Sequence, residues 1–215
     1  MGAVGGKPTA LITGVSRGLG KELARQYAAD GWKVIGTERG DMDMTDVAQI
    51  RRFAAKLKGE PIDLLFCNAG ISGRRGMAPG SFDFDSWQEV LRVNLLGPAA
   101  LAEALLDNVA ASANKTIAMM SSRLGSISES SGMTLPYSTS KAALNMLVKG
   151  LAATLAARRI VVVALSPGWV RTDMGGESAP LSAEASVRGL RKVIGGLRAA
   201  DSGKFFSHDG TEIPW

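Results

Sequence analysis

Cysteine and histidine are nearly absent: Cys67 and His208 are the only ones in 215 residues. One thiol cannot close an intramolecular disulfide or build a thiolate zinc site, and one imidazole excludes a multi-histidine metal centre. Aromatic residues make up only 6%, and the net charge of +5 comes from scattered Lys and Arg whose longest runs are pairs such as Arg51-Arg52. Neither a basic stripe nor an aromatic platform is available, so nucleic acid is not an expected partner. No apolar run approaches the roughly 18–20 residues that cross a bilayer. Residues 1–8 form a Gly-rich lead rather than a basic stretch followed by a hydrophobic one. The sequence therefore predicts a soluble cytoplasmic protein with no membrane partner. The Asn114-Lys115-Thr116 sequon and the Met1-Gly2 start, with no Ser or Thr at position six, are chance matches to modification motifs.

What the chain does have is 46% hydrophobic residues and 26 glycines. That suits one globular unit of residues 1–215, with no repeat or linker to divide it. Short apolar or β-branched runs alternate with helical patterns, the mark of an α/β, Rossmann-type doubly wound parallel sheet. Strands are expected at 9–13, 33–37, 62–67, 116–120, 160–165 and 204–206, and helices near 19–30, 46–58, 87–111, 137–158 and 183–197. Ser86 and Glu89 read as a capping box, and Gly31 and Gly59 sit where helices end in a left-handed residue. Sheets of this kind bind ligands beyond the carboxyl ends of their strands, so the residues following each strand are where function is sought.

The first strand runs into Thr13-Gly14-Val15-Ser16-Arg17-Gly18-Leu19-Gly20. Three glycines in a strand-to-helix turn let bare backbone approach a pyrophosphate, and the helix N-terminus adds N–H donors and a positive dipole. Glu38, after the second strand, is spaced to accept hydrogen bonds from an adenosine ribose, and Asn68-Ala69-Gly70 closes the third strand. Tyr137 and Lys141 open a helix after Pro136, four residues apart and so on one face. A cation that close is expected to lower the phenol's pKa toward the range of a working acid or base.

Taken in order, Thr13-Gly-x-x-x-Gly18-x-Gly20, Asn68-Ala69-Gly70, Asn94, Ser121-Ser122, Tyr137-x-x-x-Lys141 and Pro167-Gly168 resemble the short-chain dehydrogenase/reductase family over nearly the whole chain. Residues 121–127 and the ending from Gly203 to Trp215 look most like its C-factor and sniffer-type carbonyl reductase branch. The resemblance implies hydride transfer between a nicotinamide dinucleotide and an alcohol or carbonyl compound. Tyr137 would be the general acid/base, Lys141 would lower its pKa and hold the nicotinamide ribose, and Ser122, rather than Ser121, would bind the substrate oxygen. Thr172, after Pro167 and Gly168, would hold the carboxamide, and Asp43 would contact adenine. The family carbonyl matching that of Asn94 holds a proton-relay water. Here Pro98 has no N–H to give that carbonyl, and Trp87, Val90 and Leu91 put Asn94 on the inward helix face. The C-factor likeness also motivates a different class, a dinucleotide-binding signalling or sensing protein with little turnover. The intact Asn94, Ser122, Tyr137 and Lys141 set favours catalysis.

The cofactor is expected to be NAD or NADP. Glu38 would repel a 2′-phosphate and gives a lean to NAD, while Arg39 and Arg17 could clamp one. His208 reads as a turn residue, Cys67 as a small buried side chain, and Met42 and Met44 as core or adenine-pocket lining. The substrate pocket is assigned to loops 123–135 and 169–181, whose shape a sequence does not give. One departure from the family is plain: only Gly40, Asp41 and Met42 separate Arg39 from Asp43. The family's extra helix and strand cannot fit there, because a parallel crossover needs about a dozen residues. The expectation is a six-stranded sheet with 33–37 as an edge and Asp43 still delivered to the adenine side. That edge would be blunted by Lys33 and Arg39 or covered in a homo-oligomer.

Overall fold

The computed structural model describes residues 6–74 and 76–215; the Met1-Gly2 start lies outside them. Six strands form one parallel sheet in the order β2-β1-β3-β4-β5-β6. They are β1 (Thr9–Thr13), β2 (Lys33–Thr37), β3 (Leu64–Cys67), β4 (Thr116–Met120), β5 (Val161–Ser166) and β6 (Phe205–Ser207). Each begins within two residues of its expected start.

Alternation along the strands explains why helices cover both faces. Leu11, Leu65, Ile117, Met119, Val162 and Ala164 belong to one buried cluster. Their neighbours Ala10, Ile12, Leu64, Phe66, Ala118, Met120, Val163 and Leu165 belong to the other. A strand's side chains point alternately up and down, so continuous apolar runs demand cover on both sides. The first cluster packs under α2 (Val47–Lys56), α4 (Gly97–Ala104), α5 (Leu106–Ala111) and α6 (Leu135–Thr154), and the second under α1 (Gly18–Ala29) and α7 (Ala183–Gly195). Truncating a fully buried residue such as Leu11 to Ala would cost about 2–5 kcal/mol.

The strand 33–37 is the sheet edge, paired only with β1. Its exposed Lys33 makes an ion pair with Glu60. A tight turn replaces the family's missing segment: Asp41 and Met42 both donate to the Glu38 carbonyl at 3.1 Å. Met42 and Met44 are then buried in the core.

The helix expected over 87–111 is broken into three. It opens earlier, as α3 (Phe84–Leu91), because Asp83 accepts from the Ser86 N–H and caps it. Ser86 is therefore not the cap; its hydroxyl accepts from the Arg74 N–H. Arg92–Leu96 forms a π-helical turn between α3 and α4, where Pro98 withholds the N–H that would continue the α-helical ladder. Gly31 and Gly59 are left-handed, with φ of 82° and 81°.

Candidate functional site

A cavity of about 310 Å³ opens at the carboxyl ends of β1 to β5. At one end lies the glycine turn. Thr13 Oγ1 accepts from the N–H groups of Asn68 and Ala69 at 3.0 and 2.9 Å, and Asn68 Nδ2 donates to the Thr13 carbonyl at 2.9 Å. The turn is thus locked to the end of β3 before any ligand arrives. Gly14 and Gly18 take φ of 74° and 54°, which side chains rarely adopt. At Gly20 a Cβ would overlap the Gly14 carbonyl and Asn68 Nδ2. The Arg17 side chain does not cap α1, whereas Asp46, Asp83 and Ser182 cap α2, α3 and α7. The first N–H groups of α1 therefore face the cavity without a side-chain acceptor, which suits a pyrophosphate.

Glu38, Arg39 and Asp43 line the same cavity beside Ser16, Arg17, Leu19 and the glycines. The short link from β2 does deliver Asp43 to the side of the glycine turn. Asp43 Oδ1 accepts from the N–H and hydroxyl of Thr45, both at 2.8 Å, which holds its carboxyl below the usual carboxylate range. Arg39 reaches Asp43 at 3.3 Å and Arg17 reaches Asp173 at 2.9 Å, so each arginine has an acidic neighbour.

The other end of the cavity holds Tyr137 and Lys141 on the first turns of α6. Lys141 Nζ donates to the Met120 carbonyl at 2.8 Å and stands 5.5 Å from the centre of the Tyr137 ring. Burial pulls the Lys141 pKa down to about 8. The expected lowering of the phenol's pKa does not appear in this arrangement. Burial pushes Tyr137 up to about 12, and the neighbouring Ser122 hydroxyl opposes that rise. The low-dielectric site outweighs the cation, whose hydrogen bond goes to backbone.

The two serines after β4 part company. Ser121 donates to Asn145 Oδ1 at 2.6 Å and is structural. Ser122 stands outside the cavity lining but close enough to Tyr137 to bear on its pKa, and its Oγ accepts from the Leu124 N–H. Asn94, fully buried, stands behind the cavity wall. Its amide accepts from the Ile71 N–H and donates to the Ile71 carbonyl, both at 2.9 Å, and also donates to Ser140 Oγ at 3.0 Å. Ser140 in turn donates to the Tyr137 carbonyl at 2.7 Å. Sequence reasoning missed Ser140 and Ile71. The one available signal was a small polar residue on the otherwise buried face of α6, one turn from Tyr137.

Ala69, Gly70, Pro167 and Thr172 line the cavity, as do Met42 and Met44. Gly168 does not. Its φ of 79° and the ring of His208, 3.1 Å from where a Cβ would stand, show that it serves the turn after β5 instead. Cys67 is buried at the end of β3, and His208 follows β6 in a turn.

Bare-backbone turn, acidic rim and a Tyr/Lys pair with its lysine buried, along one cavity, are the parts of a dinucleotide-dependent oxidoreductase, and the residues fit a nicotinamide dinucleotide. Sequence and structure comparisons agree. The family model for short chain dehydrogenases matches residues 40–181. C-signal from Myxococcus xanthus is 41% identical over 167 residues, covering 77% of this chain and 100% of that protein. The crystal structure of NADPH-bound carbonyl reductase from chicken fatty liver superposes with a TM-score of 0.85 at 29% identity, covering 97% of this chain and 99% of that one. Carbonyl reductase Sniffer of D. melanogaster gives 0.84 at 27%, covering 98% and 100%. The chain belongs to the short-chain dehydrogenase family, the enzymes that transfer hydride to and from NAD or NADP, and structurally it is related to the carbonyl reductases. Among the described residues no helix is long and apolar enough to cross a membrane.

Proposed function

We propose that this enzyme interconverts a small alcohol and its carbonyl compound, with Tyr137 as the proton donor and acceptor. The observation that carries the reading is the Tyr137 ring, 5.5 Å from Lys141 Nζ and sharing one cavity with it and the glycine turn. A bound nicotinamide dinucleotide supplies or accepts the hydride at carbon. Burial keeps Tyr137 as the phenol, so it holds the proton that the carbonyl oxygen takes up on reduction. Ser122 holds that oxygen against the phenol. Lys141, fixed by Met120, places a positive charge beneath the ring and toward the nicotinamide ribose. Asn94 and Ser140 act behind them, pinning the backbone of Tyr137 and Ile71. Gly14, Ser16 to Gly20 and Asn68 to Gly70 would cradle the pyrophosphate side, Pro167 and Thr172 the carboxamide, and Glu38, Arg39 and Asp43 the adenosine. NAD is favoured through Glu38, and the NADPH-bound relative gives weight to the arginines.

A second reading has support in the 41% identity to C-signal, which extends over all of that protein. In it, the chain binds the dinucleotide as a signalling component and turns over little. Following NADH and NADPH oxidation across a panel of aldehydes and ketones separates the two. Turnover dependent on the carbonyl compound supports the enzyme, and tight nucleotide binding without turnover across the panel would favour the signalling component.

A further inference from the structure

Segment 211–215 returns along the edge of β6. The Ser207 N–H donates to the Thr211 carbonyl at 2.8 Å and the Ile213 N–H to the Phe205 carbonyl at 2.7 Å, which lays the segment antiparallel to that strand. Asp209 closes the turn between them, accepting from the N–H and hydroxyl of Thr211 at 3.0 and 2.7 Å. Ile213 is then buried, and the Trp215 ring stacks on the buried Phe205, with centroids 5.7 Å apart and planes 19° from parallel.

The backbone of that segment faces the residues after β4. The buried Ser126 donates from Oγ to the Pro214 carbonyl at 2.6 Å. Ser128 donates to the Trp215 backbone oxygen twice, from its N–H at 3.1 Å and from its hydroxyl at 2.8 Å. Ser126 is one end of a single 3-10 turn, Arg123–Gly125, and Ser122 is the other. Two backbone bonds close that turn: the Gly125 N–H donates to the Ser122 carbonyl at 2.8 Å, and the Ser126 N–H to the Arg123 carbonyl at 3.0 Å. Ser122 also caps it, its Oγ accepting from the Leu124 N–H at 3.2 Å, so the hydroxyl proton is left to be donated elsewhere. A closed turn of three residues has little slack, and the point at which Ser126 is held sets where the Ser122 hydroxyl is aimed. Residues 127–134 are all exposed and give the turn no packed support from their side.

Resting on the reading of Ser122 as the group that holds the substrate oxygen, we infer that Trp215 is a positioning residue for the reaction. Anchored on Phe205, it fixes Ser126 and Ser128, and through the turn that ends at Ser126 it fixes the Ser122 hydroxyl beside Tyr137.

The test uses the full chain and a ketone that the wild type reduces, at a temperature where circular dichroism shows every variant folded. Trp215→Ala should lower kcat about tenfold, while the nucleotide Kd stays within about twofold, because a reacting group is misplaced and the nucleotide contacts are not. Trp215→Phe keeps a ring on Phe205 and should restore at least about half of the lost rate. Ser126→Ala removes the Pro214 contact without touching the indole and should slow kcat in the same way, which decides the matter where Trp215→Ala does not fold. In a Ser122→Ala background, Trp215→Ala should cost less than about twofold more, since a route through one hydroxyl cannot be lost twice. Losses that multiply in the double variant, or a Trp215→Ala that lowers only the melting temperature and leaves kcat intact, would assign the segment to stability and overturn the inference alone. Ser122→Ala turning over at the wild-type rate would sink the Ser122 role and the inference with it, leaving the Tyr137 chemistry standing. A wild type that binds nucleotide but reduces no carbonyl compound would sink the enzyme reading itself, and the inference would fall with it.

Discussion

The Lys141 ammonium donates to the Met120 carbonyl at 2.8 Å, joining α6 to the last residue of β4 inside the cavity wall. This bond fixes the cation under Tyr137 but leaves it in a site where burial disfavours its charge. The functional group is therefore a source of instability.

That cost has a pH signature. The folded-state pKa of Lys141 lies near 8, below its ordinary value of 10.5. Between these values the unfolded chain binds more protons than the folded one, so this group's contribution to stability rises with pH. Lys141→Met removes the buried charge. The variant should be more stable than wild type near neutral pH, and the gap should narrow from about pH 8 to 10.5, as denaturant titrations would show. A gap that stays constant would mean that Lys141 does not titrate in that window.

The glycine turn should not tolerate even one methyl group at Gly20. A Cβ there would overlap the Gly14 carbonyl and Asn68 Nδ2, neither of which can move without releasing Thr13. Gly20→Ala should destabilise the fold by about 1–3 kcal/mol, the usual cost of overpacking. It should also weaken nucleotide binding at least tenfold, measured by fluorescence titration. Gly40→Ala, where nothing lies within 4 Å, is the matched control.

Glu38 and Arg39 should pull nucleotide choice in opposite directions. The Arg39–Asp43 pair is long and its arginine is 79% exposed, so breaking it to meet a 2′-phosphate costs under about 1 kcal/mol. Glu38→Gln should raise affinity for NADP relative to NAD, and Arg39→Ala should lower it, each severalfold in Kd. If both variants shift the ratio the same way, the assignment of this rim to the adenosine ribose is wrong.

Much of this was legible in the sequence because its signals are local. Alternating apolar strands fixed six β elements, and the five-residue step from Glu38 to Asp43 was too short for a crossover, which placed β2 at the edge. The turn glycines and the Tyr137/Lys141 spacing marked the two ends of one cavity. Long-range competition was not legible. Asp83 outcompeted Ser86 as a cap because Ser86 was taken by Arg74, a partner 12 residues away. Pro98 predicted a disturbed helix but not the π turn that absorbs it. The Tyr137 pKa went the other way from expectation because desolvation depends on how deeply the ring is packed, and spacing along a helix carries no information about depth.

The central claim is that Tyr137 handles the proton while other residues hold the nucleotide. Tyr137→Phe keeps the ring and deletes the hydroxyl. With a ketone that the wild type reduces, kcat should drop by about 10²–10⁴-fold. The nucleotide Kd, measured by calorimetry on the same preparations, should stay within about threefold, since the loss belongs to the reacting state alone. A variant that binds nucleotide normally and still turns over at the wild-type rate would contradict the account.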